Sequence, residues 1–347
     1  MKAGSVFGVG IGGTSLSSRE QEILERFPPR AVILFRRNIE GVEQLSLLAS
    51  RLKSPPSAPF LCLDQEGGPV DRLRDLLGPT ISFREAAQTG RARLAGELAG
   101  EACARFSFDV DLAPVVDRLL PGASEKVLRD RCASSDPEEI ARAASEFLAG
   151  LASRGVGGCV KHFPGLGRAD LDTHKELPAL PDDPGEEERD LAPFRATMDA
   201  AGAVMISHAA GADGIPASLS PEKATGLLRG AVRSGGPCGP PNPLGFRGAA
   251  FSDDLEMGAL AAFGELPRRC ALAMEAGCDL LFVCSRIEEY PDCAAAVGRE
   301  IAPERIAQAA GRLDAYARRL EDLRRAATGP DRPLAALIAD IRELRES

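Results

Sequence analysis

Short apolar runs alternate with amphipathic stretches along nearly the whole chain. The runs are SVFGVG (5–10), AVILF (31–35), PFLCL (59–63), DVDLAP (109–114), GGCVKH (157–162), AVMISH (203–208), GAAFSD (248–253) and DLLFVC (279–284). Brief segments rich in apolar and β-branched residues, bounded by Gly, Pro or charge, read as strands buried on both faces. Between them, stretches such as SSREQEILERF, DPEEIARAASEFLAGLASRG, ERDLAPFRATMDAAG and SPEKATGLLRG space their apolar residues as helices do, and several open on Ser or Asp and close on Gly. Eight such units predict an α/β fold, a single (β/α)8 TIM barrel formed by residues 1–347 as one catalytic domain. The helical segments at about 302–347 are expected to pack on the barrel as extra C-terminal helices, because no linker long enough to set off a second domain precedes them.

The polar residues then gain a common address. Asp64, Lys161 with His162, His208, and Asp253 with Asp254 all fall at the C-terminal ends of predicted strands. Barrel active sites are built at that rim. Successive strand side chains face opposite sides, so one of Lys161 and His162, and one of Asp253 and Asp254, is expected to face the mouth. Arg72 follows one short loop after Asp64, and the glycines of LDQEGGPVDRL let the backbone turn between them. Arg131 precedes Ser135-Asp136-Pro137-Glu138, a helix-capping signature.

One segment carries unusual chemistry. KHFPGLGRADLDTH (161–174) holds Lys161, two of the three histidines of the chain (His162 and His174), and the carboxylates Asp170 and Asp172, with Pro and Gly between them. A histidine two residues after an aspartate can have its ring oriented and its charged form stabilised, and with an ordinary pKa of about 6.5 it suits proton transfer near neutrality. A strand-borne carboxylate opposite such a loop histidine suits cleavage of a glycoside with retention. The carboxylate attacks the anomeric carbon, and the histidine, here His174 oriented by Asp172, protonates the departing oxygen.

Composition narrows the alternatives. The chain has 51 acidic and 42 basic residues, a formal charge of −9, and no basic block with interleaved aromatics, which argues against nucleic acid. Nine cysteines lack CxxC spacing and sit mostly in apolar runs, as reduced structural thiols do. MKAGSVFGVGIGG is too short and Gly-rich for a signal core, and no run approaches the roughly 20 apolar residues of a membrane span, so a cytoplasmic address is expected. GVGIGG (8–13) formally fits GxGxxG, yet the next strand ends in LFRRN with no acid for a ribose, which favours a tight β-to-α turn over a dinucleotide site. The histidine spacings fit no standard metal pair and Lys161 repels a cation, so neither a metal nor another cofactor is expected. Without Trp and with only two Tyr, the chain suits a small pocket holding one sugar by charged hydrogen bonds rather than a polysaccharide groove.

The segments LFRRN, LDQEGGPVDR, KHFPGLGRADLDTH, PASLSP, FSDDLEMGA and EAGCDLLFVC, in that order between about residues 5 and 300, resemble glycoside hydrolase family 3, in particular its single-barrel β-N-acetylglucosaminidases of the NagZ type. The resemblance implies Asp253 as nucleophile, His174 with Asp172 as the acid/base pair, and sugar contacts from Asp64, Arg72, Arg131, Lys161 and His162. It also implies the substrate: a terminal N-acetylglucosamine on muropeptide-like cell-wall (peptidoglycan) fragments in the bacterial cytoplasm. Charge and hydropathy give no membrane or nucleic-acid partner, and the sequence leaves the oligomeric state open, with a monomer favoured. The chain departs from the family at Leu166, where a histidine is frequent, at Pro69, where an arginine is frequent, at RCAS after Arg131, and in a Gly/Pro-rich insertion between Arg229 and Leu244. These departures bear on the leaving-group side of the pocket. The competing readings are another family 3 β-glycosidase acting on glucosides or xylosides, an N-acetylglucosaminide phosphorylase, and a non-catalytic sugar-sensing barrel.

Overall fold

The computed structural model describes residues 3–54, 58–121, 128–169, 177–230, 243–327 and 332–346. All eight apolar runs contain strands. In chain order these are β1 (Phe7–Gly10), β2 (Ala31–Ile33), β3 (Phe60–Leu63), a hairpin of β4 (Gln65–Gly67) and β5 (Val70–Asp71), β6 (Val110–Asp111), β7 (Gly157–Gly158), β8 (Val160–Phe163), β9 (Ala203–Ile206), β10 (Ala249–Ser252) and β11 (Leu281–Val283). The runs DVDLAP and GGCVKH are less regular than their sequences suggest: the first keeps two strand residues, the second splits in two.

Two parallel sheets carry the fold. The larger has the order β11-β1-β2-β3-β6-β7 and the smaller β10-β9-β8, while β4 and β5 pair antiparallel on their own. Single parallel bridges join the two, Val115 with Lys161 on one side and Phe251 with Leu280 on the other. The architecture is thus α/β with parallel sheets and helices, its ladders divided between two sheets. Parallel neighbours need a crossover connection, and capped helices supply it. Ser17 and Glu20 form a capping box at Ser18–Arg26, Asp136 caps Pro137–Ser153 as its signature predicts, and Asp183 caps Pro184–Ala201, which ends at left-handed Gly202. The residues of β1, β2, β3 and β6 through β11 are all buried, as strands covered on both faces must be.

Two details decide the role of GVGIGG. A Cβ on Gly8 would lie 2.5 Å from the Phe282 ring and one on Gly10 2.0 Å from the Cys284 carbonyl oxygen, so close strand packing demands these glycines. The loop amides are already taken: the Glu20 carboxylate accepts from Gly12 N at 2.7 Å and from Ser17 N at 2.8 Å. A carboxylate where a phosphate would sit repels one, which supports the tight turn over a nucleotide site.

The long helix Pro303–Ala326 lies against the N-terminal ends of the strands. Tyr316 donates to Gly158 O at 3.0 Å and packs edge-on against Phe60 and Phe251. Arg324 reaches Asp109, and Arg305 and Arg312 reach Asp279. The last helix, Leu334–Glu346, buries Leu337, Ile341 and Leu344, with Ile341 and Leu344 lining a small void behind the β4–β5 hairpin. The eight described cysteines are buried and free.

Candidate active site

A cavity of about 360 Å³ opens beside the C-terminal ends of the strands, lined among others by Asp64, Glu66, Arg72, Arg131, Lys161, His162, Asp253 and Asp254. Of the sequence-predicted site residues that the structure describes, Asp64, Arg72, Arg131, Lys161, His162, Asp253 and Asp254 line this one cavity, and His208 does not. His174 and Asp172 lie outside the described residues, as does most of the insertion after Arg229.

The hairpin after β3 builds one wall. Gln65 Nε2 donates to Asp71 Oδ1 at 2.7 Å, Gln65 Oε1 accepts from Leu73 N, and Asp71 Oδ2 accepts from Thr80 N and its hydroxyl. Gly67 has φ 85, and a Cβ there would lie 2.2 Å from Ile81 O. With Gln65 and Asp71 spent on the turn, Asp64, Glu66 and Arg72 are left to face the cavity. Asp64 takes Lys161 Nζ at 2.7 Å on one oxygen and Arg72 at 3.2 Å on the other. Glu66 holds Arg131 through two contacts, 2.8 and 3.1 Å, and Lys161 Nζ at 2.6 Å. Glu66 was legible only as part of a turn, because its partner Arg131 is 65 residues away.

Burial and pairing compete in this cluster. Burial raises the Glu66 carboxyl, but Arg131 and Lys161 prevail and hold it at about 2. Asp64 is likewise driven up by burial and brought well below the ordinary carboxylate range by Lys161 and Arg72. Burial disfavours the charged Lys161 ammonium, yet Asp64 and Glu66 raise its pKa. All are therefore ionised at neutral pH, giving a dense set of charged donors and acceptors of the kind that reads hydroxyl groups. Beneath them, Asp111 is fully buried, and burial pushes it up to about 8 despite one accepted bond from Gln65 N.

Strand β8 supplies Lys161 and His162, and both line the cavity. The expectation of opposite faces fails because the β8 register against β9 shifts between Val160 and Phe163, which breaks strict alternation. His162 Nδ1 lies 2.6 Å from Asp117 Oδ2 and Nε2 lies 3.3 Å from Arg131. Asp117 was not singled out from the sequence. The available signal was a lone carboxylate at the end of the apolar run VDLAPVVD.

Asp253 and Asp254 also both line the cavity, correcting the expectation that one would. Strand β10 ends at Ser252, so the two lie in the following turn, where alternation no longer applies. Asp253 accepts from Asp254 N at 2.8 Å. Burial raises the Asp253 carboxyl, but the His208 and His162 rings, the Asp254 amide and Lys161 together keep it below its ordinary value. Asp254 behaves oppositely: burial, Glu256 and Asp253 push it up to about 7, while it caps Glu256 N at 3.1 Å. His208 does not reach the mouth. It is buried, with Nδ1 on the Ser218 hydroxyl at 2.7 Å and Nε2 on Asp254 O at 2.9 Å, where it supports the Asp253 turn.

Phe35 and Phe282 are the aromatic rings of the wall, and Arg37 and Arg72 stack on Phe35 with guanidinium carbons 4.4 and 5.7 Å from its centroid. Leu166, at the position where the family often has histidine, lines the cavity as well, and Pro69 is exposed at the hairpin tip. Among the described residues no three His, Cys, Asp or Glu side chains converge as a metal site.

Comparisons with known proteins agree with this geometry. A beta-hexosaminidase from Alkalilimnicola ehrlichii is 36% identical over 297 residues, 82% of this chain and 81% of that protein. One from Stenotrophomonas maltophilia is 32% identical over 291 residues, 80% and 82% of the two chains. Among solved structures, NagZ from Neisseria gonorrhoeae in complex with N-trifluoroacetyl-D-glucosamine matches with a TM-score of 0.77 at 26% identity, covering 99% of this chain and 98% of that one. A glycoside hydrolase family 3 beta-N-acetylglucosaminidase from Paenibacillus matches with a TM-score of 0.84 at 27% identity, covering 99% and 68%. The family model described as the glycosyl hydrolase family 3 N terminal domain matches residues 8–316, and the chain that builds this carboxylate-rich cavity therefore belongs to glycosyl hydrolase family 3.

Proposed function

We propose that this family 3 hydrolase is a retaining exo-β-N-acetylglucosaminidase that removes terminal N-acetylglucosamine from cell-wall (peptidoglycan) fragments. The observation that carries the reading is Asp253. It is a carboxylate held below its ordinary pKa at the end of β10, facing a small cavity whose other groups are charged hydrogen-bonding partners. Relatives named beta-hexosaminidase and a NagZ structure holding an N-acylated glucosamine support the choice of sugar.

In this reading the Asp253 carboxylate attacks the anomeric carbon while His174, oriented by Asp172, protonates the departing oxygen. A glycosyl–Asp253 ester forms, and water deprotonated by the same histidine then attacks the anomeric carbon and frees Asp253. Asp64, Arg72, Arg131, Lys161 and His162 bind the sugar. Their mutual pairing fixes them before substrate arrives, so orientation is achieved ahead of the reaction.

Three broader assignments go with this. The two bridged sheets are read as one closed (β/α)8 barrel, supported by the Val115–Lys161 and Phe251–Leu280 bridges at both junctions. Residues 1–347 are read as a single catalytic domain, supported by the contacts of Pro303–Ala326 with Asp109, Gly158 and Asp279. No described helix is long and apolar enough to cross a membrane, and the address is read as cytoplasmic from the sequence. The test is a panel of aryl N-acetylglucosaminide, glucoside and xyloside, each with and without inorganic phosphate. Fastest release from the N-acetylglucosaminide, indifferent to phosphate, is expected. Phosphate-dependent release, or preference for glucoside, would overturn the assignment.

A further inference from the structure

A chain of contacts runs Asp117–His162–Arg131–Glu66–Lys161–Asp64–Arg72. Six of its members line the cavity. Asp117 does not: it is buried, six residues beyond Asp111, and is not among the residues that line the cavity. Its carboxylate is nonetheless heavily used. One oxygen accepts from Leu166 N at 2.8 Å and the other from His162 Nδ1 at 2.6 Å, and both lie within 3.3 Å of His162 N.

We propose that Asp117 is a positioning residue that fixes the His162 tautomer, so that Nε2 is presented at the cavity wall as a hydrogen-bond acceptor for one hydroxyl of the bound sugar. The proposal rests on the glycosidase reading above. A carboxylate can only accept, so the ring atom facing Asp117 must carry the hydrogen. A guanidinium can only donate, so the ring atom facing Arg131 must carry the lone pair. The two neighbours demand the same tautomer, Nδ1–H with Nε2 bare, from opposite sides of one ring. Arg131 leaves this acceptor weakly held. Its Nη2 already donates to Glu66 at 3.1 Å and meets His162 at 3.3 Å, so a sugar hydroxyl can take the lone pair at a shorter distance. The charged side chains that line the cavity are cations that donate or carboxylates; His162 adds a ring-nitrogen acceptor that discriminates by hydroxyl position. Because Asp117 also pins Leu166 N, the ring and the start of the segment leading toward His174 share one anchor.

The direct test needs no substrate. Nitrogen NMR of enzyme with 15N-labelled histidine, assigned by His162→Gln, should give a pyrrole-type Nδ1 and a pyridine-type Nε2 for His162. A protonated Nε2 would overturn the proposal. The kinetic test uses Asp117→Asn, whose amide can turn a donor toward Nδ1 and force the opposite tautomer. For aryl N-acetylglucosaminide it should lower kcat/KM by about 10- to 100-fold. With analogues in which single hydroxyls are replaced by fluorine, which accepts but cannot donate, one position should lose its sensitivity to Asp117→Asn. Equal sensitivity at all positions would contradict the assignment. Should Asp117→Asn fail to fold, His162→Gln with the same fluorinated series carries the test. If the enzyme cleaves no N-acetylglucosaminide, the substrate reading fails while the nitrogen spectrum still decides the tautomer.

Discussion

Buried charge gathers at both ends of the strands, and the two ends use it differently. At the N-terminal ends, Asp109 accepts from Leu61 N and pairs with Lys53 and Arg324, and Asp279 accepts from Ala250 N and pairs with Arg229, Arg305 and Arg312. Those arginines also donate to carbonyls such as Gly248 O and Cys278 O. Each carboxylate there ties a strand start to a helix. At the C-terminal ends, Asp64, Glu66 and Lys161 pair chiefly with other charged side chains that line an open cavity. One cluster is a staple and the other a receptor. The same residue types are structural where backbone fills their coordination, and are available for ligand where space remains in front of them.

Removing a carboxylate from each end separates the two roles. Asp253→Ala is expected to reduce turnover of an aryl N-acetylglucosaminide by roughly four orders of magnitude or more while leaving the urea midpoint nearly unchanged. A large loss of stability with residual activity would place Asp253 among the staples. Asp279→Ala should do the reverse. Three arginines lose their shared partner, and a cost of about 3–5 kcal/mol in unfolding free energy is expected, with kcat/KM of the folded fraction close to wild type. Within the cavity, Lys161→Met strands Asp64 and Glu66 beside each other without their common cation. A fall of about 100-fold in kcat/KM is expected, and an unchanged value would mean that the cluster is a staple after all.

The smallest effect concerns Asp111, which lies under the receptor but meets no ligand. Burial favours its neutral form in the folded chain, with a pKa of about 8, whereas an unfolded aspartate titrates near 4. The folded state thus binds the extra proton, and the stability this contributes is present in full below about pH 4 and is lost as pH rises through about 8. Asp111→Asn keeps a neutral side chain and should flatten that slope. Urea midpoints at pH 5 and pH 9 should differ more for wild type than for the variant, and equal differences would mean that Asp111 is ionised within the fold.

The fold was largely legible because strands buried on both faces leave uninterrupted apolar runs, and each of the eight runs holds a strand. The division of the ladders into two sheets was not legible, since it depends on pairing irregularities around Val115 and Val160 rather than on composition. Asp64, Arg72, Arg131, Lys161, His162 and Asp253 could be found from strand ends and from family resemblance. Faces within pairs could not: Lys161 with His162 and Asp253 with Asp254 both escaped the alternation rule, one through a register shift and the other through leaving the strand. Glu66 and Asp117 were missed for a common reason. Their roles come from Arg131 and His162, 65 and 45 residues away, and no local pattern records so distant a partner. His208 follows the end of β9 as the sequence reading has it, but a strand-end position does not reveal that Ser218 and the Asp254 carbonyl occupy both ring nitrogens and keep it from the mouth.

The proposed mechanism turns on a covalent bond between Asp253 and the sugar. The most direct measurement is mass spectrometry of peptides from enzyme quenched after reaction with a fluorinated, slowly turned-over N-acetylglucosaminide. One added glycosyl unit is expected on the peptide containing Asp253, absent from Asp253→Ala. A glycosyl unit on Asp254 or on any other residue, or turnover of the slow substrate with no adduct and inverted anomeric product, would contradict it.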